Sequence, residues 1–142
     1  MLLHQGDPAG AVQALESYVR RYPRDDLGRR TLQDAYAEQA RRLAQDGKKE
    51  QALAELEKAL ELREKNGTEL ITRSVQSLRK EIAEDYYQQG VRAQPTDLGQ
   101  AISLFEKCLK YDPQHIQAAR RLERARRMEE NLRSIPEAGT TR

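Results

Sequence analysis

The chain has 142 residues, 25 basic and 23 acidic side chains for a net charge of +2, and 5% aromatic residues with no Trp and one Phe. The near-balance excludes bulk electrostatic attraction to nucleic acid or to an anionic membrane, so any basic patch has to be local. One cysteine excludes an internal disulfide and a multi-cysteine metal site, and no uncharged run reaches the roughly 18 residues that span a bilayer.

The first residues, Met1 to Asp7, have no basic start and no apolar run of signal-peptide length. Gly6-Asp7-Pro8 opens a first predicted helix over 8–22, closed by Tyr22-Pro23. A second, over 25–46, turns Leu27, Leu32, Tyr36, Ala40 and Leu43 inward. Gly47 ends it and a third follows over 48–65, with Ala52, Leu56 and Ala59 on its packing face. After Asn66-Gly67 the fourth, over 68–93, presents Leu70, Ile71, Val75, Leu78, Ile82, Tyr86 and Val91. Gln94-Pro95-Thr96 leads to a fifth over 97–111, and Asp112-Pro113 to a sixth over 114–133. Ser134 to Arg142, with Pro136 and Gly139, is expected to be a disordered tail. Apolar residues recur at three and four throughout, without sustained strand alternation, so the expected fold is all-α with about six antiparallel helices. Thr68 and Asp97 are placed to cap first-turn amides, and Gly47 and Gly67 to take the left-handed conformation that ends a helix.

One nine-residue phrase occurs three times: AVQALESYV from Ala11, ALAELEKAL from Ala52 and AISLFEKCL from Ala101. Each copy has Ala first, an aliphatic second, Leu or Phe fifth, Glu sixth and an aliphatic ninth. A repeated packing face implies a repeated structural unit. With their surroundings the phrases resemble tetratricopeptide repeats, a family of helix-turn-helix units. Gly6 and Gly47 stand five residues before Ala11 and Ala52 as that pattern asks, with Thr96 in their place before Ala101. The large core residue follows as Leu15, Leu56 and Phe105, and the small one as Tyr18, Ala59 and Cys108, where Tyr18 exceeds the usual size. Pro23 and Pro113 begin the next unit; Glu64 replaces that proline in the middle copy. Tyr36 with Ala40, and Tyr86 with Gly90, match the aromatic and small residues at which paired helices approach.

The resemblance implies a helical-repeat solenoid over 1–133, with units at about 1–23 (partial), 26–66 and 68–113 and a capping helix over 114–133. Ala52 follows Ala11 by 41 residues and Ala101 follows Ala52 by 49, against a family period of about 34. The first helices of the units are therefore expected to be long, about 33 and 39 Å at 1.5 Å per residue. Only five residues precede Gly6, so the first unit lacks its partner helix. That suggests a piece of a larger protein, or another molecule covering Leu2, Leu3, Val12, Leu15 and Val19. This open end is a candidate homodimer surface.

Catalytic chemistry finds little support. His4 and His115 have no second His, Cys or Ser at ligand or triad spacing, and Cys108 occupies a small-residue packing position. Glu81 and Asp85 lie one turn apart but fit a solvated face, and no Gly-rich phosphate loop occurs. No metal or cofactor is expected, and no small-molecule substrate. Local charge is more informative: Gln114 to Arg133 holds six arginines against three glutamates. By the family pattern, Arg120, Arg121, Arg124 and Arg127 fall on or near a concave surface, with Arg41, Glu38, Tyr87, Gln88 and Glu84 from earlier helices. Guanidinium groups there suit carboxylates, hence an acidic peptide or the C-terminus of a partner protein. The asparagines of a full carboxylate clamp are absent. The plain alternative is a polar capping helix. The expected function is thus a non-catalytic protein-interaction scaffold. Its alternatives are a nucleic-acid or anionic-surface contact through the arginine helix, weakened by the lack of interleaved aromatics, and an accessory module of a larger enzyme or envelope protein.

Overall fold

The computed structural model of the protein describes residues 7–62 and 67–135. Among them are six helices and no strand: α1 (Pro8–Arg21), α2 (Asp26–Gln45), α3 (Lys49–Glu61), α4 (Thr68–Ala93), α5 (Leu98–Tyr111) and α6 (Ile116–Ser134). Leu2, Leu3 and His4, the residues after α3 at 63–66, and the expected tail beyond Ile135 lie outside the described residues.

Local chemistry sets the helix ends. Side chains of Asp7, Asp25, Asp97 and His115 accept the amides of Gly10, Gly28, Gln100 and Ala118 at 3.0–3.1 Å, each satisfying a first-turn donor that no intrahelical carbonyl reaches. Gly47 and Gly67 have φ of 81°, a conformation that costs a residue with Cβ. Thr68 is the first residue of α4 itself.

The protein divides within α4 into two compact units, one ending at Leu78 and the other beginning at Arg79. In the first, α2 packs against both α1 and α3. Its core draws on Ala11, Val12, Leu32, Ala35, Tyr36, Ala40, Ala52, Leu53, Leu56 and Ala59. Small side chains such as the buried alanines let helix backbones approach, and each buried Leu contributes about 1.5–3 kcal/mol. The Tyr36 hydroxyl donates to Glu16 Oε2 at 2.6 Å, tying α2 to α1.

Several expected core positions differ. Leu27 and Leu70 are each 68% exposed. Leu27 lies five residues before Leu32, about 140° away around the helix, and Leu70 is turned about 100° from the buried Ile71. Gly28 and Ala35 hold the inward places instead. Val12 is buried, and Leu15 and Val19 are half-buried, by the packing of α1 on α2. Of the face expected to lie open, Val12 is thus covered and Leu15 and Val19 partly so.

The turn into a long helix is built twice on one plan. Asp25 N donates to Tyr22 O and Arg29 N to Asp25 O; in the second unit His115 N donates to Asp112 O and Ala119 N to His115 O. Pro23 and Pro113 stand at the same point, so the capping residues Asp25 and His115 correspond at an offset of 90. Tyr18 then corresponds to Cys108, and Gly28 to Ala118. Cys108 is fully buried, whereas Tyr18 is 42% exposed. Its ring is too large for the small-residue site and lies outside it against Gly28, where a Cβ would meet Tyr18 Cε1 at 2.7 Å.

In the second unit α4 from Arg79 onward, α5 and α6 bury Ala83, Tyr87, Ala101, Phe105, Cys108, Ala118 and Leu122 together. Tyr86, expected in this core, is half-buried at its edge and stacks on Tyr111 with centroids 5.9 Å apart. Its neighbour Tyr87 takes the interior place, tilted against Phe105.

Candidate functional site

The second unit gathers a row of polar side chains from α4 and the start of α6. Glu84 and Gln88, one turn apart on α4, are joined by a 2.7 Å hydrogen bond from Gln88 Nε2 to Glu84 Oε2. The other carboxylate oxygen meets His115 Nε2 at 3.0 Å. Because His115 Nδ1 accepts the Ala118 amide, the ring proton sits on Nε2 and is donated to Glu84. These two donors, Gln88 first and His115 second, hold the Glu84 carboxyl below its ordinary value.

Tyr87 links this group to Arg121. Its ring packs on the His115 imidazole at 4.7 Å between centroids. Arg121 Nε donates to Tyr87 Oη at 3.1 Å and Nη1 to Gln94 Oε1 at 3.2 Å. Two of the five guanidinium donors are engaged in fixing the fork, and its planar geometry suits a carboxylate. Tyr87, expected to line open surface, is only 7% exposed, and its hydroxyl is what it offers to the row.

The other candidate residues separate. Arg120 and Arg124 are exposed on α6, both to the same side of Arg121 around the helix. Arg127 pairs with Glu123. With Arg126 it also lines a groove of about 370 Å³ floored by Leu109, Ala119 and Leu122. That groove lies roughly opposite Arg121 around α6. Arg126 reaches Glu106 at 2.7 Å and Arg133 reaches Glu129 at 3.2 Å. Arg41 and Glu38 belong to the first unit and pair there at 2.6 Å, with Arg42 Nε at 3.4 Å; Arg41 chiefly, then Arg42, keeps the Glu38 carboxyl below its usual value.

The offset of 90 relates the faces of α2 and α6. Gly28, Leu32 and Ala35 correspond to Ala118, Leu122 and Ala125, all buried. Gln33, Tyr36 and Ala40, also buried, correspond to Glu123, Arg126 and Glu130, which are exposed and line the groove. One face of the helix is kept and the other is made charged.

Sequence reasoning missed Gln94 and the part His115 plays. Position offered the signal for the histidine, two residues after Pro113 as Asp25 is after Pro23. Cys108 is buried, and burial pushes its thiol up to about 11, away from nucleophilic chemistry. Among the described residues, no three His, Cys, Asp or Glu side chains gather as a metal ion requires, and no helix is long and apolar enough to cross a membrane.

Residues 33–66 and 96–115 match the family model for the tetratricopeptide repeat. The first match runs through most of α2 and all of α3; the second covers α5 and the turn ending at His115. No curated protein matches the sequence.

Proposed function

Since this protein carries repeats of the tetratricopeptide family, we propose that it is a non-catalytic scaffold that binds another protein, and that the α4–α6 face of its second unit receives an acidic peptide segment or the C-terminus of its partner. The fixed fork of Arg121 carries this reading, held by Tyr87 and Gln94 with the exposed Arg120 and Arg124 to one side of it on α6. A preorganised guanidinium loses less side-chain freedom on gripping a carboxylate, so more of the interaction appears as affinity.

Nucleic acid is the weaker partner. Arg126, Arg127 and Arg133 are each paired with a glutamate, which reduces the local excess that phosphate binding would draw on. The deciding experiment pairs Arg120→Glu with Arg124→Glu, both at exposed positions whose replacement leaves the packing intact. Calorimetric titration with acidic peptides, free or amidated at the C-terminus, is expected to show at least a tenfold loss. Unchanged affinity for every acidic peptide that binds the wild type would remove the α4–α6 face from the proposal.

A further inference from the structure

We propose that the corner between α1 and α2 is a second recognition site, separate from the α4–α6 face, which receives an acidic peptide segment carrying proline. The observation behind it is the contrast between the two copies of the turn. Where the second unit buries Cys108, the first places Tyr18 outside the core. The substitution is accommodated in detail. Gly28 stands where the other copy has Ala118 and leaves room for the ring. The Tyr18 hydroxyl donates to Asp25 Oδ2, while Asp25 Oδ1 accepts the Gly28 amide. The ring is thus locked in place, yet exposed.

Tyr22 completes the platform. It is 48% exposed, and its ring lies 5.0 Å from that of Tyr18 between centroids, inclined at 46°. With Arg21, Pro23, Arg24 and Asp25 the two tyrosines line a surface cavity of about 470 Å³. A wedge of two inclined rings admits a puckered pyrrolidine better than a flat nucleobase, and rigid aromatic grooves bind proline-rich segments at low entropic cost because such segments are already extended.

Charge at the rim selects the flanks. Both Asp25 oxygens are already engaged, whereas Arg21 and Arg24 border the cavity, with the Arg21 guanidinium 5.6 Å from the Tyr22 ring centroid. Arg29, the next arginine, is turned to the Pro23 carbonyl and Asp26. Two arginines beside an aromatic wedge complement acidic residues on either side of a proline.

The test is an amide-shift titration of the 142-residue protein with the doubly blocked peptide Glu-Asp-Pro-Pro-Asp-Glu, beside its Gly-Gly counterpart and an oligothymidylate. Expected are shifts confined to residues 18–28, at least threefold tighter binding of the proline peptide than of the glycine one, and a fivefold or greater loss in Tyr22→Ala and in the Arg21→Glu/Arg24→Glu pair. These two variants alter different exposed side chains, so each checks the other against loss of fold. Equal binding of both peptides, shifts clustered around Arg121, or tighter binding of the oligothymidylate through these same residues would overturn the proposal; so would no binding at millimolar peptide.

Discussion

Phe105 lies so close to Gly90 that a methyl group on the glycine would stand 2.6 Å from Phe105 Cε1 and 2.8 Å from Cδ1. The glycine is therefore a packing requirement of the α4–α5 contact. In Gly90→Ala the gain in helix propensity of about 1 kcal/mol opposes an overpacking cost of about 1–3 kcal/mol. Phe105 is fully buried and has no room to withdraw, so the cost wins. A net loss of up to about 2 kcal/mol in urea unfolding is expected. Gly99→Ala is the opposite case, since its methyl would meet only Asp97 Oδ1 at 3.7 Å; it should stabilise by up to about 1 kcal/mol.

Tyr36→Phe removes one hydroxyl from the α1–α2 contact. Burial chiefly, and then the bond to Glu16, raises the hydroxyl's pKa, so it is a neutral donor at any ordinary pH. A lost bond to a charged acceptor costs about 1.5–3 kcal/mol. The half-buried Glu16 recovers part of this from water, placing the expected loss near the lower figure. The urea midpoint measures it, with an unchanged slope showing that the fold is intact.

The helices were legible in the sequence because caps, turn residues and spacing agreed, and all six appear within a few residues of their expected bounds. Faces were less so: choosing Leu27 over Gly28, or counting Leu70 inward beside Ile71, follows hydrophobicity where helix phase decides. Tyr86 and Tyr87 show the same limit from the other side. Adjacent identical side chains cannot be ranked by type, and only the position of Phe105 sends Tyr87 inward. Of the candidate site, Glu84, Gln88, Tyr87 and Arg121 do come together, whereas Arg127 is drawn off by Glu123 and Arg41 by Glu38. Competing local ion pairs depend on rotamer choice, which spacing alone does not fix.

His115 acts through an acceptor nitrogen, so its replacements sort by whether they can accept. His115→Asn keeps an N-cap oxygen and should hold α6 to within a few tenths of a kcal/mol. His115→Ala should cost about 1 kcal/mol. Hydrogen exchange of the Ala118 amide is the direct readout, fast in the Ala variant and protected in Asn.

Acid should act on Glu84 and Asp25 in the same sense. Gln88 and then His115 lower the first; the Tyr18 hydroxyl and then the Gly28 amide lower the second. A folded value below the unfolded one means that the stabilisation is complete above about pH 4–5, the ordinary carboxyl range, and is lost as pH falls through the folded value. Glu84→Gln and Tyr18→Phe should each flatten the stability profile on the acid side. The test compares urea midpoints at neutral pH and at about pH 3: wild type should fall further than either variant, and parallel curves would refute the assignment.

The charged face of α6 bears on what can dock there. An apolar helix of another molecule seated in the groove over Leu109 and Leu122 would cover Arg126 and Glu130 and strip them of water. Desolvating Glu130 and the Arg126–Glu106 pair costs more than so small an apolar floor returns. Arg126 and Glu130, standing where α2 has Tyr36 and Ala40, thus make this side of α6 a poor seat for an apolar helix.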